Sequence, residues 1–74
     1  MAIQIQTALN ILRRKQVEKR VGLSRSTIYA KISAGEFPAP IALSARVVGW
    51  LESDIIAWIE SRIAASHVLQ GDKL

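Results

Sequence analysis

Most of the positive side chains of this 74-residue sequence lie in its first half. Residues 13–31 hold seven Lys and Arg residues and a single acid, Glu18, whereas the residues from 32 onward hold three cations and five acids. A one-sided charge of this kind attracts a polyanion. Within the basic half Ser24 precedes Arg25 and further small polar residues, and a helix beginning there offers free backbone amides to an anion. These residues indicate phosphate binding.

Residues that carry covalent or acid–base chemistry are scarce. The sequence has no Cys and one His, His67, so it cannot form a disulfide and has almost no ligands for structural zinc. Glu52, Asp54 and Glu60 are spaced along a predicted helix without a nucleophile or a glycine-rich phosphate loop near them. We therefore predict a protein that is not an enzyme, with no catalytic residues, no metal, no cofactor and no small-molecule substrate.

The chain is long enough for one small domain only. Its mass is 8.2 kDa, half of its residues are apolar, and 4 Gly and 2 Pro are too few breakers for a disordered chain. The longest apolar runs are far short of the ~20 residues that cross a bilayer, and the first residues lack the basic and apolar stretches of a secretory signal. We expect a cytoplasmic, nucleoid-associated protein with no membrane partner.

The spacing of apolar residues predicts a first helix. Val17 and Val21 lie four residues apart among charged residues, which favours an amphipathic helix over residues 14–21. Gly22 is typical of a helix C-terminus. The loosely alternating residues 1–12 are predicted to be a poorly anchored lead-in.

A second helix is predicted to begin at Ser24, whose hydroxyl suits the N-cap position. Ile28 and Ile32 again lie four residues apart and form its inward stripe, and Gly35 ends it after residue 33 or 34. With both isoleucines turned inward, small polar residues face outward.

Two short strands are predicted after this helix. Pro38 and Pro40 exclude a helix, and residues 41–43 and 46–50 have the composition of strands that flank a turn at residues 44–45. We therefore expect a β-hairpin in the middle of the chain.

The spacing of apolar residues predicts a third helix over residues 52–66, and the remainder, residues 67–74 with Gly71, is predicted to be a flexible tail. Trp50 and Trp58 are expected to anchor the core. The fold class is therefore mainly α with a small β-hairpin, and the domain that carries function is predicted to span residues 13–66.

Two helices joined through Gly22 and Leu23 match a helix-turn-helix, in which the start of the second helix enters the major groove of DNA. That groove is about 12 Å wide and accepts one helix, so we predict double-stranded DNA as the partner. The residues predicted to lie nearest to the bases are Arg25, Ser26, Thr27 and Tyr29. The residues predicted to contact phosphates are Lys15, Lys19, Arg20, Ser24 and Lys31.

Several motifs occur in order along the chain. They are GLSRSTIY at 22–29, GEFPAPIAL at 35–43, VGWLES at 48–53 and AWI at 57–59. Together, over about residues 12–62, they resemble the AlpA family, whose members are small phage-type transcriptional regulators with a MerR-like winged helix-turn-helix, related in fold to excisionases.

The resemblance implies three helices plus a wing, with residues 24–33 as the recognition helix. It also implies that the hairpin around residues 44–46 is the wing and that Arg46 contacts phosphate or the minor groove. Ala30 departs from the family pattern, in which a longer and often basic side chain is expected, so base recognition at this position is not predicted.

Three functional hypotheses remain open. The resemblance favours a sequence-specific DNA-binding transcriptional regulator of a prophage or genomic island that controls integrase and excision genes. An excision factor, that is, a recombination directionality factor that bends DNA with an integrase, would use the same surface. A protein-interaction module would instead form a homodimer or recruit an integrase or polymerase subunit through the third helix. That hypothesis rests on apolar residues in excess of one small core, which are Ile3, Ile5, Leu9, Ile56 and Ile63.

Overall fold

Short helices and strands alternate along the chain. The computed structural model describes the backbone of residues 9–73 and the side chains as far as residue 67. Its elements are β1 (Ile11–Leu12), α1 (Arg14–Val21), α2 (Arg25–Ser33), β2 (Ile41–Ser44), β3 (Val47–Leu51) and α3 (Glu52–Lys73). Three helices and a small antiparallel sheet confirm the predicted winged helix-turn-helix class.

Local capping sets the bounds of α1 and α2, and both helices match the prediction. Gly22 adopts φ 72°, a left-handed conformation that favours glycine, and its N–H donates to the carbonyl oxygen of Glu18 at 2.8 Å. The Ser24 hydroxyl accepts from the N–H of Thr27 at 3.3 Å and so caps α2. Gly35, at φ 75°, reverses the chain after α2.

The core is one apolar cluster to which the three helices, β1, β3 and the loop after α2 contribute, whereas β2 is exposed. Trp50 is 1% exposed, and its Nε1 donates to the carbonyl oxygen of Pro38 at 2.9 Å. Trp58 is half-buried, donates to the carbonyl oxygen of Glu36 at 2.8 Å, and packs edge-on against Phe37 with ring centroids 4.8 Å apart. Both tryptophans therefore anchor the core, as predicted. The buried residues are Leu12, Val17, Ile28, Phe37, Trp50 and Ile55.

The sheet contains a third strand that was not predicted. β1 pairs antiparallel with β3, which lies between β1 and β2, and Leu12 is opposite Trp50. Leu12 is buried in the core. The prediction of a lead-in over residues 1–12 was therefore wrong for Ile11 and Leu12, because pairing with a distant strand, and not local pattern, holds them. Residues 1–8 of the predicted lead-in lie outside the described residues.

The hairpin turn differs from the prediction by about one residue. β2 continues to Ser44, and the turn consists of Ala45 and Arg46, so Arg46 lies in the turn and not in a strand. An irregularity in pairing between Ala42 and Ser44 accounts for the shift, because it changes the register of β2 against β3. Arg46 therefore lies at the tip of the hairpin.

The third helix is longer than predicted. It continues to Lys73 and does not end at residue 66, so the backbone of residues 67–73, predicted as part of a flexible tail, is helical. Gly71 does not interrupt it, since a glycine within a helix costs only about 1 kcal/mol relative to alanine. A helix of this length spans about 33 Å. Within the described residues, no helix combines the length and apolarity required to cross a membrane.

Candidate nucleic-acid interface

The start of α2 is an exposed cluster of hydroxyl groups and one cation. Ser24, Arg25 and Ser26 are exposed, and Thr27 is half-buried. The Ser24 hydroxyl donates to Oγ1 of Thr27 at 3.0 Å, in addition to accepting the Thr27 amide. The amides of Arg25 and Ser26 lie in the first turn of α2 and have no intrahelical acceptor. This end of α2 therefore presents free donors to an anion.

The exposed face of α2 carries short side chains and a shallow depression. Ile28 is fully buried and Ile32 half-buried, while Ser26, Ala30 and Ser33 are exposed, as the predicted helical wheel has them. A shallow depression of about 320 Å³ lies on this face. A DNA duplex can approach the backbone closely here, because the side chains are small. The depression is lined by Ser26, Thr27, Ala30, Lys31 and Glu36.

Arg25 and Tyr29 form a pair on the flank of α2 that faces the sheet. The guanidinium carbon of Arg25 lies 5.8 Å from the centroid of the Tyr29 ring. The Tyr29 ring also meets Trp50 in an edge-on arrangement, with centroids 6.5 Å apart. Tyr29 is 37% exposed. The structure therefore brings these two predicted base contacts together.

The basic residues of α1 differ in their availability. Lys15 and Lys19 are exposed and lie four residues apart, on one face of α1. Arg20 is also exposed, but its Nη1 lies 2.7 Å from Oε2 of Glu52, which joins α1 to the start of α3. Arg14 is paired with Glu18 in the next turn. Lys15 and Lys19 are therefore freer than Arg20 to meet a phosphate.

Glu52 is held in its charged form by its neighbours. A hydrogen bond from Arg20, which has the larger effect, and one from Asn10 lower the pKa of its carboxyl below the ordinary value. Nδ2 of Asn10 donates to Oε1 of Glu52 at 3.2 Å, and the backbone N–H of Glu52 donates to the carbonyl oxygen of Asn10 at 2.8 Å. This cluster fixes the chain before β1 to the start of α3.

The remaining two predicted phosphate contacts are Lys31, in the last turn of α2, and Arg46, at the hairpin tip. Lys31 is half-buried, with Nζ 3.9 Å from Oε1 of Glu36. Arg46 is exposed at the hairpin tip, and all four residues of β2 beside it are exposed as well. Among the described residues, no acid pairs with Arg46 within ion-pair distance.

Sequence reasoning missed a groove between the end of α2 and α3. It encloses about 770 Å³, and Lys31, Trp58 and Arg62 lie among its lining residues. Trp58 and Arg62 are four residues apart, a spacing that places both on one face of a helix and is visible in the sequence. Lys31, which borders both this groove and the exposed face of α2, links the two surfaces.

A family model and two known proteins match most of this chain. The sequence model of the family described as Prophage CP4-57 regulatory protein (AlpA) matches residues 10–63. A protein of Enterobacteria phage P4, described as uncharacterized protein ORF88, is 47% identical over 58 residues, which are 78% of this chain and 66% of the phage protein. The DNA-binding transcriptional activator AlpA of Escherichia coli (strain K12) is 32% identical over 62 residues, which are 76% of this chain and 89% of that protein. The family match covers every candidate site residue described above.

Proposed function

Because the chain belongs to the AlpA family of prophage regulatory proteins, we propose that it is a DNA-binding transcriptional regulator of a prophage or genomic island. It recognises a specific operator and acts by binding, without catalysis. The observation that carries this proposal is the serine-capped start of α2, which presents an exposed Arg25 and free amides within the basic half of the chain.

The proposed complex places the start of α2 in the major groove. Its short exposed side chains allow a close approach to base edges, while cations on both sides of it neutralise phosphates. Arg20 is expected to contribute least among the cations, because Glu52 already pairs with it. The base-proximal residues are Arg25, Ser26, Thr27 and Tyr29, and the phosphate contacts are Lys15, Lys19, Arg20, Ser24, Lys31 and Arg46.

The proposed DNA-binding domain comprises residues 13–66 and depends on β1 as its third strand. Leu12 from β1 is part of the buried core, so a chain that begins at residue 13 is expected to lose stability. The proposed targets of regulation are integrase and excision genes, and an excision factor that bends DNA would use the same binding surface.

Exposed apolar residues on α3 favour a protein partner in addition to DNA. Ile56 and Ile63 are 45% and 49% exposed, and they lie seven residues apart on similar faces of the helix. Such a stripe suits a second copy of the chain or an integrase or polymerase subunit. Sedimentation at micromolar concentration tests self-association, and Ile63→Ser is expected to remove it.

A salt series with a selected operator tests the proposed DNA binding. Affinity is expected to fall steeply as salt rises, because phosphate contacts release counterions. The double variant Lys15→Ala, Lys19→Ala is expected to lower the slope of log affinity against log salt by about 1.8, at about 0.9 for each phosphate contact. Arg62→Ala on α3 is the matched control and leaves the slope unchanged. A wild-type affinity that does not respond to salt contradicts the proposal.

A further inference from the structure

Tyr29 contacts Trp50, the largest fully buried side chain among the described residues. It lies one turn after Arg25 in α2, and its ring rests edge-on against Trp50, with centroids 6.5 Å apart and an angle of 63° between the ring planes. Trp50 in turn is 1% exposed and is tied to the carbonyl oxygen of Pro38. Tyr29 therefore has one buried neighbour, while its ring remains 37% exposed.

Arg25 also lies close to this ring. Its guanidinium carbon is 5.8 Å from the Tyr29 centroid, within the range of a cation–π contact. Within residues 9–67, the acids that form ion pairs are Glu18, Glu36 and Glu52, and each pairs with a different cation. The aromatic ring therefore orients the Arg25 guanidinium while its N–H donors stay available.

The side chains around Arg25 on the exposed face of α2 are short. Ser26 and Ala30 reach little beyond the backbone, and the Thr27 hydroxyl is engaged by Ser24. Arg25 is the first residue of α2, at the end that a major groove receives. An arginine at this place pairs most specifically with guanine, whose O6 and N7 accept two parallel N–H bonds from the guanidinium.

We propose that Arg25 reads a guanine in the major groove and that Tyr29 is a positioning residue that holds the Arg25 guanidinium in the reading geometry. This inference rests on the proposed DNA binding and names the base that the site recognises. Tyr29 acts by reducing the rotamer freedom that Arg25 loses on binding, because the free protein already restricts it. The order of contacts runs from the core through Trp50 and Tyr29 to Arg25.

Guanine analogues in a selected operator duplex test the proposal. Each guanine is replaced in turn by 7-deazaguanine, which loses the N7 acceptor but keeps Watson–Crick pairing. The wild-type protein is expected to lose about tenfold in affinity at one guanine, in line with the loss of one bond of a bidentate pair. Arg25→Ala is expected to bind the normal and the modified duplex equally. If Arg25→Ala still discriminates between them, Arg25 does not read that guanine.

Two variants of Tyr29 separate positioning from direct contact. Tyr29→Phe keeps the ring and is expected to keep the tenfold discrimination, whereas Tyr29→Leu removes the ring face and is expected to reduce discrimination to about threefold or less. A general weakening of the fold lowers affinity for both duplexes and leaves their ratio unchanged, so the ratio reports positioning. If Tyr29→Phe also loses discrimination, the hydroxyl is what matters and the proposal is wrong.

The outcomes also distinguish this inference from the proposed function. If no sequence is enriched from random DNA and the folded wild-type protein binds no duplex, the proposed function fails. If the wild-type protein binds a selected operator but tolerates 7-deazaguanine at every position, only the inference fails. Normal discrimination by Tyr29→Leu would retain the guanine contact and reject the positioning role.

Discussion

The start of α2 and the hairpin tip each carry an exposed arginine, but the fold holds them very differently. α2 is fixed by the fully buried Ile28, by the Ser24 cap, and by the contact of Tyr29 with Trp50. In contrast, every residue of β2 is exposed, and Arg46 extends from the turn beyond it. A fixed helix suits base recognition, which needs defined geometry, whereas a cation on an exposed hairpin suits the phosphate backbone.

Removal of the shared anchor is expected to have the largest effect. Trp50→Ala should destabilise the domain by about 3–5 kcal/mol, because it deletes the largest fully buried side chain and leaves a cavity beneath α2. Chemical denaturation measures this loss, and DNA binding is expected to disappear with it. Trp50→Phe is the control, since it keeps an aromatic ring in the core and is expected to cost less, although it loses the bond to Pro38 and part of the buried volume. Unchanged stability of Trp50→Ala would show that the sheet does not anchor α2.

Removal of the helix cap affects α2 more than the hairpin. Ser24→Ala is expected to cost about 1 kcal/mol of stability, because the Thr27 amide loses its acceptor. Chemical denaturation measures this loss of stability. Ser24→Asn restores an N-cap acceptor and is expected to recover most of the loss. Equal stability of Ser24→Ala and the wild type would contradict the role of Ser24 as a cap.

Arg46→Ala tests whether the hairpin tip contacts the phosphate backbone. It is expected to weaken binding to all duplexes by a similar factor, to lower the salt slope by about 0.9, and to leave stability unchanged. Arg46→Lys keeps the charge and is expected to retain most of the affinity. A change in sequence preference for Arg46→Ala would instead mean that the hairpin tip reads bases.

Among the changes that alter the stability of the domain, removal of the ion pair between Arg20 and Glu52 is expected to have the smallest effect. Because Arg20 and Asn10 lower the pKa of Glu52 in the folded protein, the unfolded chain binds a proton at higher pH than the folded one. The stabilisation that the charged Glu52 contributes is therefore fully present above the ordinary pKa of glutamate and is lost as pH falls through the lowered pKa. Glu52→Gln should flatten the acid side of the stability profile. Glu60→Gln, on the exposed side of α3, is the control, and identical profiles for Glu52→Gln and the wild type would contradict this role.

Local features of the sequence predicted the parts of the fold that local interactions determine. The bounds of α1 and α2 follow from Gly22 and Ser24, and the contact between Arg25 and Tyr29 follows helical spacing. β1 was missed, because a two-residue strand has no pattern of its own and depends on pairing with Trp50 and Leu51.

Contacts between distant residues also limited prediction of the candidate site. The pairing of Arg20 with Glu52 joins residues 32 positions apart, and the contact of Tyr29 with Trp50 requires the sheet to pack on α2. Neither has a local signature. Sequence alone therefore predicted a set of DNA contacts, but not which of those side chains the fold already engages or positions.

A cleavage reagent attached to α2 tests the central claim that its start enters the major groove. The chain has no cysteine, so Ser26→Cys creates a unique attachment point for an iron–EDTA group, and Ala64→Cys on α3 provides the matched control. With a selected operator, the group at position 26 is expected to cleave DNA at a few nucleotides within the operator, while the group at position 64 leaves them intact. Localised cleavage from position 64 with none from position 26, in variants that still bind the operator, would contradict this mode of binding.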